Sequence, residues 1–386
     1  MEMKVDPDTT LLLFGEADAV IEGYAEVYGK RVTSVHVPEG KVYPLYFRDE
    51  GRITTGGDII QVKGNTIPES WKKFSEGDYR RIFTFGRTDT GKSSFCVYIM
   101  NKMGIDCAVD ADIGQNDIVH PGAMAAGFKK EKIISLSELE KAKVSFVGAI
   151  SPSGFESRCL KAFHQLCRLA REKAVVNTTG WINGRKAREY KLSKIEIFNP
   201  DVVAALDSTP YFIDDIEVFR LESFVIRKRG RDLRAIIRRR NYEKWLDGLD
   251  YVEKSADELC LKNTTLFRGE EVRDPVLESF GDVVYCERGY DFLNIYSENY
   301  GAGSEAVRFL REYFGVSEVN IIKPSELEGL VLGLKKGDSY LSMGLLKEID
   351  FQEKILRFLG LRDIDTVEFG SFRLDEDKRE VVVRVP

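Results

Sequence analysis

The sequence has 386 residues, enough for two or three domains, with 43% hydrophobic and 31% charged residues, the balance of a globular chain with a sizeable core. No apolar run approaches the roughly 20 residues that span a bilayer, and the start, Met1-Glu2-Met3-Lys4, lacks a signal-peptide pattern; an intracellular, cytoplasmic protein with no membrane association is expected. The formal net charge of −6 argues against nucleic-acid binding by the surface as a whole and leaves only local basic patches to do it.

Residues 1–75 read as a small β domain. Short strands are expected at 11–14, 19–21, 24–27, 34–37, 43–47 and 59–62, punctuated by Gly15, Gly23, Gly29, Gly40, Gly51 and Gly56-Gly57. Frequent turns without a long helical pattern suggest a sandwich or barrel. The segment carries no catalytic constellation, so nucleotide capping, partner docking and a purely structural role all stay open. Residues 67–71 read as a linker.

The stretch that follows carries the chemistry. An apolar strand (81–85) runs into Gly86-Arg87-Thr88-Asp89-Thr90-Gly91-Lys92-Ser93-Ser94 and then into an apolar helix (92–103). G-x-x-x-x-G-K-S between strand and helix is a phosphate-binding loop. Glycines let backbone N–H groups converge, Lys92 reaches the β/γ-phosphates, and the Ser93 hydroxyl suits Mg²⁺. The helix adds the positive end of its dipole. The whole run 86–94 is therefore the candidate nucleotide site, with ATP and Mg²⁺ as its expected ligands. A second strand (106–110) ends in Asp110-Ala111-Asp112, carboxylates where phosphoryl-transfer proteins hold metal or activate a nucleophile.

Residues 76–248 alternate strand and helix, as a parallel sheet requires, with further strands at 144–147, 174–177 and 202–206 and a helix at 156–172. Two loops follow strand ends, where such sheets bind ligands: 148–154, containing Ser151, and 177–184, containing Thr179 and Trp181. All three residues are candidate substrate contacts. Trp181, glycine-flanked in a polar loop, suits base stacking as a solvent-facing ring; a loop anchor is the alternative. Residues 227–240 hold eight basic side chains and one acidic one, Asp232. Arg227, Arg231, Arg234 and Arg238 share one helical face, as in a lid that contacts phosphate.

From residue 249 short strands return around one helix (304–314), which reads as an α+β domain spanning 249–386. Six cysteines without C-x-x-C spacing and three scattered histidines argue against zinc and for reduced, buried thiols.

Taken together, Gly86–Ser94, Asp110-Ala111-Asp112-Ile113-Gly114-Gln115, Pro121-Gly122, Phe146-Val147-Gly148-Ala149-Ile150-Ser151-Pro152 and Asn177-Thr178-Thr179-Gly180-Trp181 resemble the Clp1/Grc3 family of polynucleotide 5′-hydroxyl kinases. The closing Phe369-Gly370-Ser371-Phe372-Arg373-Leu374-Asp375 is similar to that family's carboxy-terminal domain. The resemblance implies a central P-loop kinase domain with a parallel sheet, flanked by an amino-terminal β domain and a carboxy-terminal α+β domain. It implies transfer of the ATP γ-phosphate to the 5′-hydroxyl of single-stranded or duplex RNA, and in some members DNA, and leaves RNA-processing protein partners open. On it, Lys92 and Ser93 hold phosphate and Mg²⁺, and Asp112 orders the metal shell and activates the 5′-hydroxyl. Gln115 supports that geometry, and Trp181 stacks on the terminal base. Arg231, Arg234 and Arg238 are the lid candidates by helical phase. An ATP-bound scaffold without turnover is the second reading. A GTPase is disfavoured because no N-K-x-D segment is present.

Overall fold

In the amino-terminal strands residues alternate between buried and exposed, the two-residue period of a half-covered sheet: Ile53 is buried while Arg52 and Thr54 face solvent. The computed structural model describes residues 1–170, 172–225, 230–279, 281–299 and 303–386. Strands β1 (Glu2–Val5), β2 (Thr9–Phe14), β3 (Ala17–Val27), β4 (Lys30–Val37), β5 (Val42–Phe47), β6 (Gly51–Thr55) and β7 (Asp58–Lys63) form one sheet in the order β1-β6-β3-β5-β2-β7, with β4 on β3. Its strand pairs are antiparallel. The sequence suggests two strands where β3 is one. Gly23, at φ +101°, lets it bend. Before the bend β3 pairs with β6 and after it with β5, the way a strand turns a corner between sheets.

The expected linker is not one. Pro68 precedes helix α1 (Glu69–Ser75), whose Trp71 and Phe74 are fully buried. Trp71 meets Phe95 edge-on at 5.2 Å and donates its indole N–H to the Glu222 carbonyl at 2.9 Å. The segment is an apolar footing beneath the phosphate loop.

A second sheet holds β8 (Arg81–Gly86), β9 (Cys107–Ala111), β10 (Ala123–Phe128), β11 (Glu140–Phe146), β12 (Ala174–Thr178), β13 (Val202–Leu206) and β14 (Glu217–Leu221), in the order β11-β10-β9-β12-β8-β13-β14. Strands β9, β12, β8, β13 and β14 are parallel, and the near-continuous burial of all but the edge strand β14 fits a sheet covered on both faces. The predicted strand at 144–147 is not part of that parallel set. It is the end of β11, an antiparallel edge joined through β10, which sequence patterning misses because its Ala and Gly residues carry little strand signal. Helices α2 (Lys92–Met103), α3 (Glu156–Cys167) and α4 (Arg185–Phe198) pack on the sheet, and α5 (Arg231–Leu246) follows β14 in sequence. Of the basic segment, Arg227, Lys228 and Arg229 lie outside the described residues, as does the side chain of Arg231.

The chain divides into two compact units, Met1–Arg240 and Asn241–Pro386. The second has its own core around Leu332, Phe358 and Val367. It contains a seven-stranded sheet that includes Leu330–Lys336, Ser339–Asp350, Ile355–Gly360 and Thr366–Leu374, and a four-stranded sheet that includes Val283–Arg288, Phe292–Ser297 and Glu318–Ile322. The predicted helix at 304–314 is present as Ser304–Phe314. The protein is thus a mixed α/β chain of several sheets. All six cysteines are free; Cys260, against expectation, is exposed. Among the described residues no helix is long and apolar enough to cross a membrane.

Candidate active site

The site grows from strand order. Because β12 lies between β8 and β9, the ends of three parallel strands and the loops they feed meet at one edge of the sheet. From β8 comes the phosphate loop. Gly86 has no room for a side chain: a Cβ would lie 2.6 Å from the Leu206 carbonyl. Gly91, at φ +89°, turns the chain into α2. Lys92 is buried, with Nζ donating to the carbonyls of Gly86 at 3.1 Å and Arg87 at 2.6 Å.

From β9 come the carboxylates. Asp110 is fully buried and accepts hydrogen bonds from Asn177 Nδ2 at 3.0 Å, Asp112 N at 3.2 Å and Asp117 N at 2.8 Å. Burial, with the neighbouring Asp117 charge, raises its pKa well above the carboxylate range against the pull of those donors. Asp112 is half-buried; its Oδ1 accepts from Gly114 N at 3.0 Å and Gln115 N at 3.2 Å, and Oδ2 has no protein donor among the described residues. Asp110 is therefore a hydrogen-bonding platform, whereas Asp112 uses only one carboxylate oxygen for bonds to the protein among the described residues.

From β12 comes Asn177, whose Nδ2 also donates to Ser93 Oγ at 3.1 Å and so ties the phosphate loop to Asp110. Its Oδ1 is buried and has no partner among the described residues. Beyond it, Gly180 lies against the phosphate loop so closely that a Cβ would stand 2.3 Å from Thr88 N.

Thr88, Asp89, Thr90, Gly91, Lys92, Ser93, Ser94, Asp112 and Gln115 line one cleft of about 140 Å³; Gly86, buried, and Arg87, exposed, do not line it. Ser151, Thr179 and Trp181 do not line it. Ser151 is exposed and Thr179 buried. Trp181 is not the solvent-facing ring expected: it is half-buried, packed on the core with its ring 5.7 Å from that of Tyr190. On α5, Arg234 reaches the phosphate loop, with Nη1 3.2 Å from Asp89 Oδ2, and Arg238 is half-buried on the same helix.

Sequence reasoning missed the wall contributed by the first sheet. Lys41 Nζ pairs with Asp117 Oδ1 at 2.6 Å, and Tyr28, bonded to Ser94 with burial pushing its pKa to about 12, lines the cleft with Tyr43. No motif announces these residues, since only tertiary packing brings that sheet to the loop. Asn177 had a signal, a polar residue ending an apolar strand.

Residues 86–248 match the family model described as the mRNA cleavage and polyadenylation factor CLP1 P-loop. The polyribonucleotide 5′-hydroxyl-kinase of Pyrococcus abyssi is 28% identical over 324 residues, 78% of this chain and 89% of the relative. That of Thermococcus kodakarensis is 27% identical over 346 residues, 82% and 95% of the two chains. The human polyribonucleotide 5′-hydroxyl-kinase Clp1 is 28% identical over 170 residues, 39% of this chain and 40% of the relative. In fold, the chain is similar to Clp1p from a solved Clp1p–Pcf11p complex, with a TM-score of 0.63 at 12% identity over 97% of each chain. With a phosphate loop, an open strand-end aspartate and a bridging asparagine at one sheet edge, residues 86–248 carry a Clp1-type P-loop domain, and the chain as a whole is similar to these polyribonucleotide 5′-hydroxyl-kinases.

Proposed function

We propose that this protein is an ATP-dependent polynucleotide 5′-hydroxyl kinase that transfers the γ-phosphate of ATP to the 5′-hydroxyl of RNA, with DNA as a second substrate for the test below to decide. The observation that carries this reading is Asp112: it lines the same cleft as Lys92 and Ser93 and keeps Oδ2 without a protein donor. A carboxylate so placed accepts the proton of an attacking hydroxyl, and phosphoryl transfer needs little more than that, positioning and charge neutralisation. The relatives named as RNA kinases support the same substrate.

In this reading the converging N–H groups of 88–94 cradle the phosphates, and Lys92 leaves its loop carbonyls for the β/γ-oxygens. Arg234, held over the loop by Asp89, neutralises charge on the transferring group; Arg231 and Arg238 are proposed for the same lid. The donors near Ser93 are hard oxygens, and the orphaned Asn177 Oδ1 marks a missing partner there; both suit Mg²⁺. Ser93 and Asp112 would hold the ion, which supplies charge neutralisation at the phosphate oxygens when bound. Trp181, with Thr179 and Ser151 nearby in the loops, is proposed to meet the terminal nucleotide on the exposed part of its ring. Segments 1–75, 76–248 and 249–386 are proposed as cleft wall, kinase domain with a central parallel sheet, and carboxy-terminal domain. Each has a sheet of its own.

The test is incubation with γ-labelled ATP, Mg²⁺ and 5′-hydroxyl oligonucleotides of RNA and DNA. Label is expected at the RNA 5′ end. ATP binding without any transfer would instead support a nucleotide-bound scaffold that works with a protein partner, as Clp1p is seen with Pcf11p.

A further inference from the structure

Helix α4 buries two lysines that the scheme above does not use. Lys191 and Lys194 are both 0% exposed, and neither has an ion pair among the described residues. Lys191 Nζ donates to the Thr179 carbonyl at 2.7 Å. Lys194 Nζ donates to the Ala111 carbonyl at 3.4 Å and sits over the rings of Tyr190 (4.6 Å) and Phe163 (4.8 Å). An ammonium carries three donors, so each has one protein acceptor for three. Such burial is costly, and burial pushes the Lys194 pKa down to about 8 and that of Lys191 well below the lysine range. A methionine would fill either place at lower cost.

The two acceptors explain the cost. Ala111 stands between Asp110 and Asp112. Thr179 lies one residue past the last rung of the β12–β9 ladder, Thr178 opposite Ala111, and leads into Gly180 against Thr88 and on to Trp181. One helix, through side chains three residues apart on the same face, thus holds β9 at the last rung of the ladder, Ala111, and β12 one residue beyond it, at Thr179.

We propose that Lys191 and Lys194 are positioning residues for phosphoryl transfer, fixing the RNA-end loop at Thr179 and the aspartate-bearing strand end at Ala111 so that the 5′-hydroxyl and Asp112 meet at hydrogen-bond distance. The inference rests on the kinase reading above. It separates the two lysines: Lys191 governs how the RNA end is held, and Lys194 governs where Asp112 stands.

The experiment is steady-state kinetics of Lys191→Met and Lys194→Met with ATP and a 5′-hydroxyl RNA oligonucleotide. It is accompanied by equilibrium RNA affinity, thermal melting, and the Arg variants that keep a donor. Lys191→Met should raise KM and Kd for RNA about tenfold, the effect of one net hydrogen bond, with KM for ATP unchanged. Lys194→Met should lower kcat about tenfold with both KM values unchanged. Both Met variants should melt at or above wild type, because a buried amine with one acceptor has been replaced by an apolar chain of similar length. The Arg variants should recover part of the loss. Wild-type kinetics in the Met variants overturns the proposal. So does a Met variant that fails to fold, or that loses kcat and both KM values together with melting temperature, since the lysines are then purely structural. A wild-type protein that transfers no phosphate contradicts the kinase reading instead, and the RNA affinity of Lys191→Met then still decides the role of Lys191.

Discussion

Two buried asparagines, one in each unit, make nearly the same bonds and do different things. Asn294, on the strand Phe292–Ser297, donates to Glu287 Oε1 at 3.0 Å and Thr265 Oγ1 at 3.0 Å, and its Oδ1 accepts from Asn320 Nδ2 at 3.1 Å. Glu287 in turn accepts from Phe267 N at 3.1 Å and Gly269 N at 3.0 Å, which holds Phe267 at φ +59°. Asn320 accepts from Arg384 at 2.8 Å. Both ends of the amide are used. Asn177 likewise donates to a buried carboxylate and a hydroxyl, Asp110 and Ser93, yet its Oδ1 is open. A satisfied buried network rigidifies a fold; one with an open acceptor beside an open carboxylate is completed only by a ligand.

The contrast predicts where substitutions cost activity and where they cost stability. The largest effect is expected for Lys92→Ala: label transfer should fall below detection while the melting temperature shifts little, because the Lys92 ammonium bonds carbonyls of the phosphate loop itself, at Gly86 and Arg87. Measurable turnover near wild type would remove Lys92 from the phosphate site. Asp112→Asn should come next, keeping ATP affinity but lowering kcat by the roughly 10²–10⁴ typical of a general base; a drop below about tenfold would transfer the role elsewhere, with Asp110 the first candidate.

Gly180→Ala should weaken ATP and RNA binding together, since the added Cβ must displace Thr88 from its place in the phosphate loop. Titration of each ligand checks this, and normal ATP affinity would break the link between the two loops. The smallest and most diagnostic test is the asparagine pair. Asn294→Leu should cost about 1–3 kcal/mol of stability, the penalty for stranding buried partners, and leave kcat unchanged. Asn177→Leu should lower kcat by about tenfold or more at a similar stability cost. Equal kinetic losses in both would erase the distinction between closed and open networks.

Local sequence determined the parts of the site that one stretch of backbone builds. Gly86 to Ser94 specifies its own loop, because glycine at positive φ and the lysine at the start of a helix act within a few residues. Asp112 was legible as a carboxylate ending an apolar strand, and the helix 304–314 by its period. What depends on residues far apart in sequence was not legible. The choice between Asp110 and Asp112 as open carboxylate follows from Asn177, 67 residues from Asp110, which reaches it only because β12 inserts between β8 and β9. Trp181 read as exposed because its neighbours in sequence are polar; its neighbours in space are Tyr190 and the core. The role of Lys41, of Trp71 under the loop and of the two lysines on α4 was likewise decided by packing. A periodic pattern records which face of an element is buried, but burial against what, and beside which charge, is a property of the assembled sheets alone.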